Sequence, residues 1–143
     1  MKTLQQLIDG KKHKEVISIA PNRPVFDALV ILAEYKIGAL AVLEEGRLVG
    51  IFSERDYARE VILQGRSSKT TQISEVMTNK VLFGKPDDTV DYAMSLMSEN
   101  RIRHFPVVED GKVVGMLSIG DLVKETIAYQ KDLIRQLESY IKS

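Results

Sequence analysis

Apolar and polar positions along this chain change period several times, and each change marks an element. Val16 to Ile19 is a short β-rich run; Pro21-Asn22-Arg23-Pro24 follows as turn chemistry, and Val25, Ala28, Leu29 and Leu32 then recur at helical spacing. Ala39 to Leu43 and Leu48 to Phe52 flank Glu45-Gly46, which predicts two antiparallel strands joined by a tight hairpin. Ser53, with Asp56 three residues on, then opens a second apolar-periodic helix. The predicted string is β-α-β-β-α.

The string occurs twice. Val16 to Ile62 falls on Val81 to Ile127 without a gap, at an offset of 65 residues. In that register Pro21, Val25, Ala28, Glu34 and Ile37 meet Pro86, Val90, Ala93, Glu99 and Ile102. Val42, Gly46, Val49, Gly50, Ser53 and Asp56 meet Val107, Gly111, Val114, Gly115, Ser118 and Asp121. The second hairpin, Phe105 to Val108 and Val113 to Leu117, flanks Asp110-Gly111. A weaker echo precedes each copy, where Leu4, Leu7 and Ile8 resemble Ile73, Val76 and Met77 as a duplicated lead-in helix. One unit is too small to cover its own sheet, so the two are expected to pack about a pseudo-two-fold axis and share a core in an α/β (α+β) fold. The expected division is a lead-in helix over 1–14, a repeat over 15–64, a linker and second lead-in helix over 65–80, a repeat over 81–128 and a helical extension over 129–143. That extension carries no helix breaker from Asp121 to Lys142; Ile127, Ile134 and Ile141 recur every seventh residue, with Leu133, Leu137 and Tyr140 alongside. Its length past the repeat suggests a partner surface.

Composition removes several function classes. Twenty Lys plus Arg against twenty Asp plus Glu give a formal charge of zero, so no global field draws nucleic acid or an anionic membrane, and any anion site must be local. The chain has no cysteine, hence no disulfide framework and no thiolate chemistry. The Met1-Lys2-Thr3-Leu4 start lacks the apolar core of a signal peptide, and apolar runs such as Ala39 to Leu43 fall far below the roughly 20 residues that span a bilayer. A cytoplasmic protein without a membrane segment is expected. No Gly-x-Gly-x-x-Gly, Walker loop, Gly-x-Ser-x-Gly elbow or His-Glu-x-x-His is present, and only two histidines are available as bases, so no enzymatic activity is expected.

Four groups of residues carry candidate chemistry. Ser53-x-x-Asp56 and Ser118-x-x-Asp121 are ordinary capping boxes, yet an ionised carboxylate there also accepts hydroxyl hydrogen bonds of about twice neutral strength. Arg55 and Arg103 have no basic counterparts in the other repeat; each is either a solvated surface charge or, near a helix N-terminus, a planar fork for phosphate. The polar stretch Gly65 to Thr71 is either an exposed linker or, through Arg66, Ser67, Ser68 and Lys69, a set of donors for a diphosphate. His104 reads as a half-buried strand residue whose only possible histidine partner is His13, and no metal site is expected.

The apolar hairpin strands, Phe105-Pro106-Val107-Val108, Val114-Gly115 and Ser118-x-x-Asp121 together resemble the cystathionine β-synthase (CBS) domain, and the duplication resembles a Bateman module. Glu54-Arg55-Asp56-Tyr57, Gly65 to Lys69 and Arg101-Ile102-Arg103-His104 further resemble small stand-alone CBS pairs. The resemblance implies an adenine-nucleotide ligand in the cleft between repeats, AMP or NAD above all, with ATP, ADP or S-adenosylmethionine also in the family's range. It implies ribose on Asp56 or Asp121 beside Ser53 and Ser118, and adenine on the backbone at Pro106 next to His104. Phosphate then falls to Arg55, Arg103, Arg66, Ser67 or Lys69. It further implies a homodimer acting as a regulatory sensor on an unidentified protein partner. The alternative is a dimerising scaffold with a vestigial nucleotide site.

Overall fold

The computed structural model describes residues 2–12 and 15–142. Its elements run α1 (Leu4–Asp9), β1 (Ser18–Ile19), α2 (Val25–Tyr35), β2 (Ala39–Glu44), β3 (Arg47–Ser53), α3 (Glu54–Asp56, continuing as a π-helical stretch over Tyr57–Ile62), α4 (Ile73–Val76), α5 (Val90–Asn100), β4 (His104–Glu109), β5 (Lys112–Ser118) and α6 (Ile119–Lys142). The chain forms two compact units. One gathers Met1–Lys14, Phe83–Val108 and Gly115–Ser143; the other gathers Glu15–Leu82 with Glu109–Val114. We call them the second-repeat and first-repeat units.

Both hairpins turn through two residues with positive φ, Glu45 (51°) and Gly46 (79°), then Asp110 (53°) and Gly111 (79°). That is the type I′ geometry whose twist matches the flanking strands. In the first-repeat unit the sheet order is β1-β2-β3, with β1 parallel to β2 and β2 antiparallel to β3. Over this sheet close Ile19, Val25, Ala28, Leu32, Leu40, Val42, Phe52, Val61, Ile73 and Val76. The second-repeat unit buries Val90, Ala93, Met97, Phe105, Val107, Leu117 and Leu122 with Leu4 and Ile8. Leu40 and Phe52 are cross-strand partners. Their counterparts are Phe105 and Leu117, so the aromatic ring changes strands while the pair keeps its volume.

The second repeat departs from the predicted string at its first strand, which shrinks to a single parallel bridge between Gly84 and Val107. The cause is Pro106. In the first repeat Ala41, at the same register position, donates its N–H to Ile17 O at 3.3 Å. Proline has no N–H to give. Two bonds around Gly84 survive, its own N–H to Pro106 O (2.9 Å) and the Val108 N–H to Gly84 O (2.8 Å).

The lead-in helices pack on the repeats that precede or follow them out of order. α4, from the linker, belongs to the first-repeat unit, and α1 belongs to the second-repeat unit. A glycine receives each. A Cβ on Gly50 would stand 2.6 Å from Met77 Sδ and 2.9 Å from Thr78 O, and one on Gly115 would stand 2.5 Å from Ile8 Cδ1. These close approaches are the physical reason for Val-Gly in the second hairpin strand of each copy.

Candidate functional site

Each repeat passes from its last strand into a helix at a serine, and the same polar cluster forms there twice. In the first-repeat unit Ser53 is extended (φ −124°, ψ 166°) at the end of β3. The Asp56 N–H donates to Ser53 Oγ at 3.2 Å, while the Ser53 N–H and hydroxyl donate to Asp56 Oδ2 at 2.9 and 3.0 Å. The Thr78 hydroxyl reaches the other carboxylate oxygen, Oδ1, at 3.0 Å. The Glu54 N–H donates to Gly38 O at 3.1 Å, which ties the helix start to the entry of β2.

In the second-repeat unit the Ser118 N–H donates to Asp121 Oδ2 at 2.9 Å and the Asp121 N–H donates to Ser118 Oγ at 3.1 Å. The Ile119 N–H donates to Arg103 O at 2.9 Å, the counterpart of the Glu54–Gly38 bond. Arg103, exposed, thus has its backbone fixed beside the start of α6. Here the third partner of the carboxylate is a cation. Lys11 Nζ lies 3.1 Å from Asp121 Oδ2 and donates to Met116 O at 2.9 Å. Burial pushes the Asp121 carboxyl up, but the Ser118 backbone N–H and then the Lys11 ammonium outweigh it, and the group is held below the usual aspartate value.

The remaining sequence candidates fall as follows. Arg55 is exposed in the first turn of α3, His104 is half-buried at the start of β4, and Pro106 is buried with its carbonyl engaged by Gly84. Arg66, Ser67 and Lys69 are exposed, in a linker that lies along the start of α2: Ser68 O and Thr71 O accept the N–H groups of Phe26 (2.9 Å) and Val25 (2.8 Å). Pro24 supplies no side-chain cap to α2, so these carbonyls satisfy two N–H groups that would otherwise lack partners. Lys69 Nζ sits 5.5 Å from the centre of the Phe26 ring, within cation–π range. Among the described residues no group of three His, Asp or Glu side chains is placed to hold a metal ion; His13 lies outside them. No helix of the described residues is long and apolar enough to cross a membrane.

The structure therefore joins Ser53, Arg55 and Asp56 at one helix start and Arg103, Ser118 and Asp121 at the other. It adds Thr78 and Lys11, which the sequence reasoning missed. Both lie just beyond the lead-in echo, in the segments that follow α4 and α1. The echo carries no signal for them: at its offset of 69 Thr78 falls on Asp9 and Lys11 on Lys80, so the two are not equivalent positions.

Against known proteins, the model of the CBS domain matches residues 12–63 and again 73–128. The chain belongs to the CBS-domain family. Its two CBS domains are 42% identical over 123 residues to the mitochondrial CBS domain-containing protein CBSX3 of Arabidopsis thaliana, covering 82% of this chain and 60% of that one. The chain thus spans less than two thirds of that relative's length. A protein with CBS domains from Burkholderia ambifaria superposes with a TM-score of 0.85 at 45% identity, over 89% of this chain and 95% of that one. The CBS-domain pair of protein MJ0100, solved in complex with 5′-methylthioadenosine and S-adenosyl-L-methionine, superposes with a TM-score of 0.79 at 28% identity, over 90% and 98%.

Proposed function

We propose that this CBS pair is a non-catalytic regulatory module that binds an adenine nucleotide of the AMP or NAD type and reports its occupancy to a protein partner as a homodimer. The observation that carries the reading is the helix start of the second repeat. A half-buried carboxylate, ionised at any physiological pH, stands beside the ammonium of Lys11 and the anchored backbone of Arg103. That donor set suits adenosine phosphates. The Asp121 carboxylate accepts ribose hydroxyls in charge-assisted bonds, and Arg103 and Lys11 supply positive charge for a phosphate. In the first-repeat unit Ser53 and Asp56 repeat the ribose chemistry, with Arg55, Arg66, Ser67 and Lys69 as the exposed phosphate candidates. His104 and the backbone at Pro106 lie at the strand that enters the second site and are its adenine side. The adenine ligands of the MJ0100 pair support this class of ligand.

The exposed apolar face of α6 favours a second reading, a dimerising scaffold with a vestigial nucleotide site. A thermal-shift panel of AMP, ADP, ATP, NAD, S-adenosylmethionine and adenosine separates the two. A ligand that binds only the folded state adds roughly 2.7 kcal/mol at about 100 times its Kd. Asp121→Ala and Asp56→Ala should weaken an occupied site by about 1.5–3 kcal/mol, or tenfold and more in Kd. No shift with any ligand, or undiminished affinity in both variants, would leave the scaffold.

A further inference from the structure

The last 20 residues of α6 carry exposed apolar side chains, and the way charge is distributed around the helix says what covers them. Taking Ile127 as heptad position a, positions a are Ile127, Ile134 and Ile141, and positions d are Val123, Gln130 and Leu137. Positions g are Thr126, Leu133 and Tyr140. All seven charged residues from Val123 to Lys142 (Lys124, Glu125, Lys131, Asp132, Arg135, Glu138 and Lys142) fall at b, e or f. The a, d and g positions hold no charge at all. Yet Val123, Ile127, Leu133, Ile134, Leu137 and Ile141 are 39%, 47%, 44%, 54%, 56% and 81% exposed.

We infer that α6 pairs with α6 of a second copy of this chain as a parallel, in-register two-stranded coiled coil along the Val123–Ile141 seam. Three features commit the face to that occupant. β-Branched Ile at all three a positions, with Leu137 among the d residues, favours two parallel strands over higher assemblies. Gln130 is the one polar d residue outside the repeat-packed start of the helix, and its amide both donates and accepts. Parallel and in register it meets its own copy and satisfies both functions; antiparallel pairing sets it against apolar a residues and leaves it unsatisfied. The charge of the tail also argues against a lipid surface, since its four basic and three acidic flanking groups nearly cancel and it carries neither Trp nor Phe. Leu133 widens the seam at g, facing the methylenes of Glu138 of the partner subunit at e.

This inference rests on the homodimer reading and deepens it, and the test keeps the two apart. The chain has no cysteine, so single cysteines report geometry without background. Full-length Gln130→Cys, at d, should oxidise to a covalent dimer at micromolar concentration, because only closely facing residues meet disulfide geometry. Ser139→Cys, at the outward f position, should stay uncrosslinked. Sedimentation of the otherwise native chain should give a dimer, and Ile134→Asp, at an exposed position that the fold does not use, should weaken it at least about tenfold. Absence of the Gln130→Cys crosslink, equal crosslinking of Ser139→Cys, or an Ile134→Asp chain as dimeric as the native one would overturn the coiled coil. A dimer with any of those results leaves the homodimer standing on another face, whereas a monomeric native chain removes both.

Discussion

Lys11 Nζ and Asp121 Oδ2 stand 3.1 Å apart, 110 residues distant in sequence, and this ion pair fastens the segment after α1 to the start of α6. Both side chains are 31% exposed, which places the pair between a surface contact and a buried one. Lys11→Met keeps the stem and removes the charge and its two hydrogen bonds. It should cost about 0.5–1.5 kcal/mol at neutral pH, as urea unfolding would measure.

The same pair fixes the sign of a pH effect. Asp121 is depressed in the native state, so its contribution to stability is complete above the unfolded aspartate value of about 3.9 and fades as pH falls through the lower native value. Without Lys11 the native value rises toward the unfolded one. The stability gap between the native chain and Lys11→Met should therefore be constant near neutrality and narrow in acid. A gap that does not change down to the acid limit of folding would assign the effect of Lys11 to its hydrogen bond with Met116 O rather than to the ion pair.

Gly50 and Gly115 make opposite predictions about rescue, although they occupy the same place in the repeat. All the close neighbours of a Cβ at Gly115 belong to the Ile8 side chain. Gly115→Ala should cost about 1–3 kcal/mol by overpacking, and Ile8→Ala in the same chain should recover part of it, giving a less than additive double variant. A Cβ at Gly50 meets Met77 Sδ, which can move, but also Thr78 O, which accepts the Ile51 N–H at 2.9 Å as part of a two-bond bridge. Met77→Ala should leave Gly50→Ala unrescued. Equal rescue at both glycines in thermal unfolding would contradict the role given to Thr78.

These contacts show where legibility in the sequence ends. Hairpins, helix starts and the long α6 follow from local periodicity and turn chemistry, so Ala39 to Leu43 needed only Glu44 to become β2, and the helix that the Ser118 capping box opens begins at Ile119. The loss of the first strand in repeat two was also legible, because Pro106 stands where Ala41 must donate. The partnering of α1 with the second repeat was not. Leu4 and Ile8 carry the same apolar pattern as Ile73 and Met77, and nothing local to either helix distinguishes Gly50 from Gly115 as its receptor. For that reason Thr78 and Lys11 escaped the sequence reading while Ser53, Asp56, Ser118 and Asp121 did not: the serine and aspartate are neighbours in the chain, and their third partners arrive only with tertiary structure.

Arg103 allows the nucleotide reading to be tested at a single chemical group. Its carbonyl, not its side chain, accepts the Ile119 N–H, so Arg103→Ala leaves the anchoring of the helix start in place and removes only the guanidinium. If that fork meets a phosphate, its loss removes a charge-assisted contact of about 1.5–3 kcal/mol and should raise the Kd for AMP and NAD by roughly tenfold to a hundredfold. Adenosine lacks the phosphate and should bind with nearly unchanged affinity. Thermal unfolding without ligand should also be almost unaltered, since exposed side chains away from special contacts change stability by about 0.5 kcal/mol or less. Calorimetry with the three ligands decides it: equal weakening of adenosine and AMP would take Arg103 off the phosphate and assign its effect to the shape of the site.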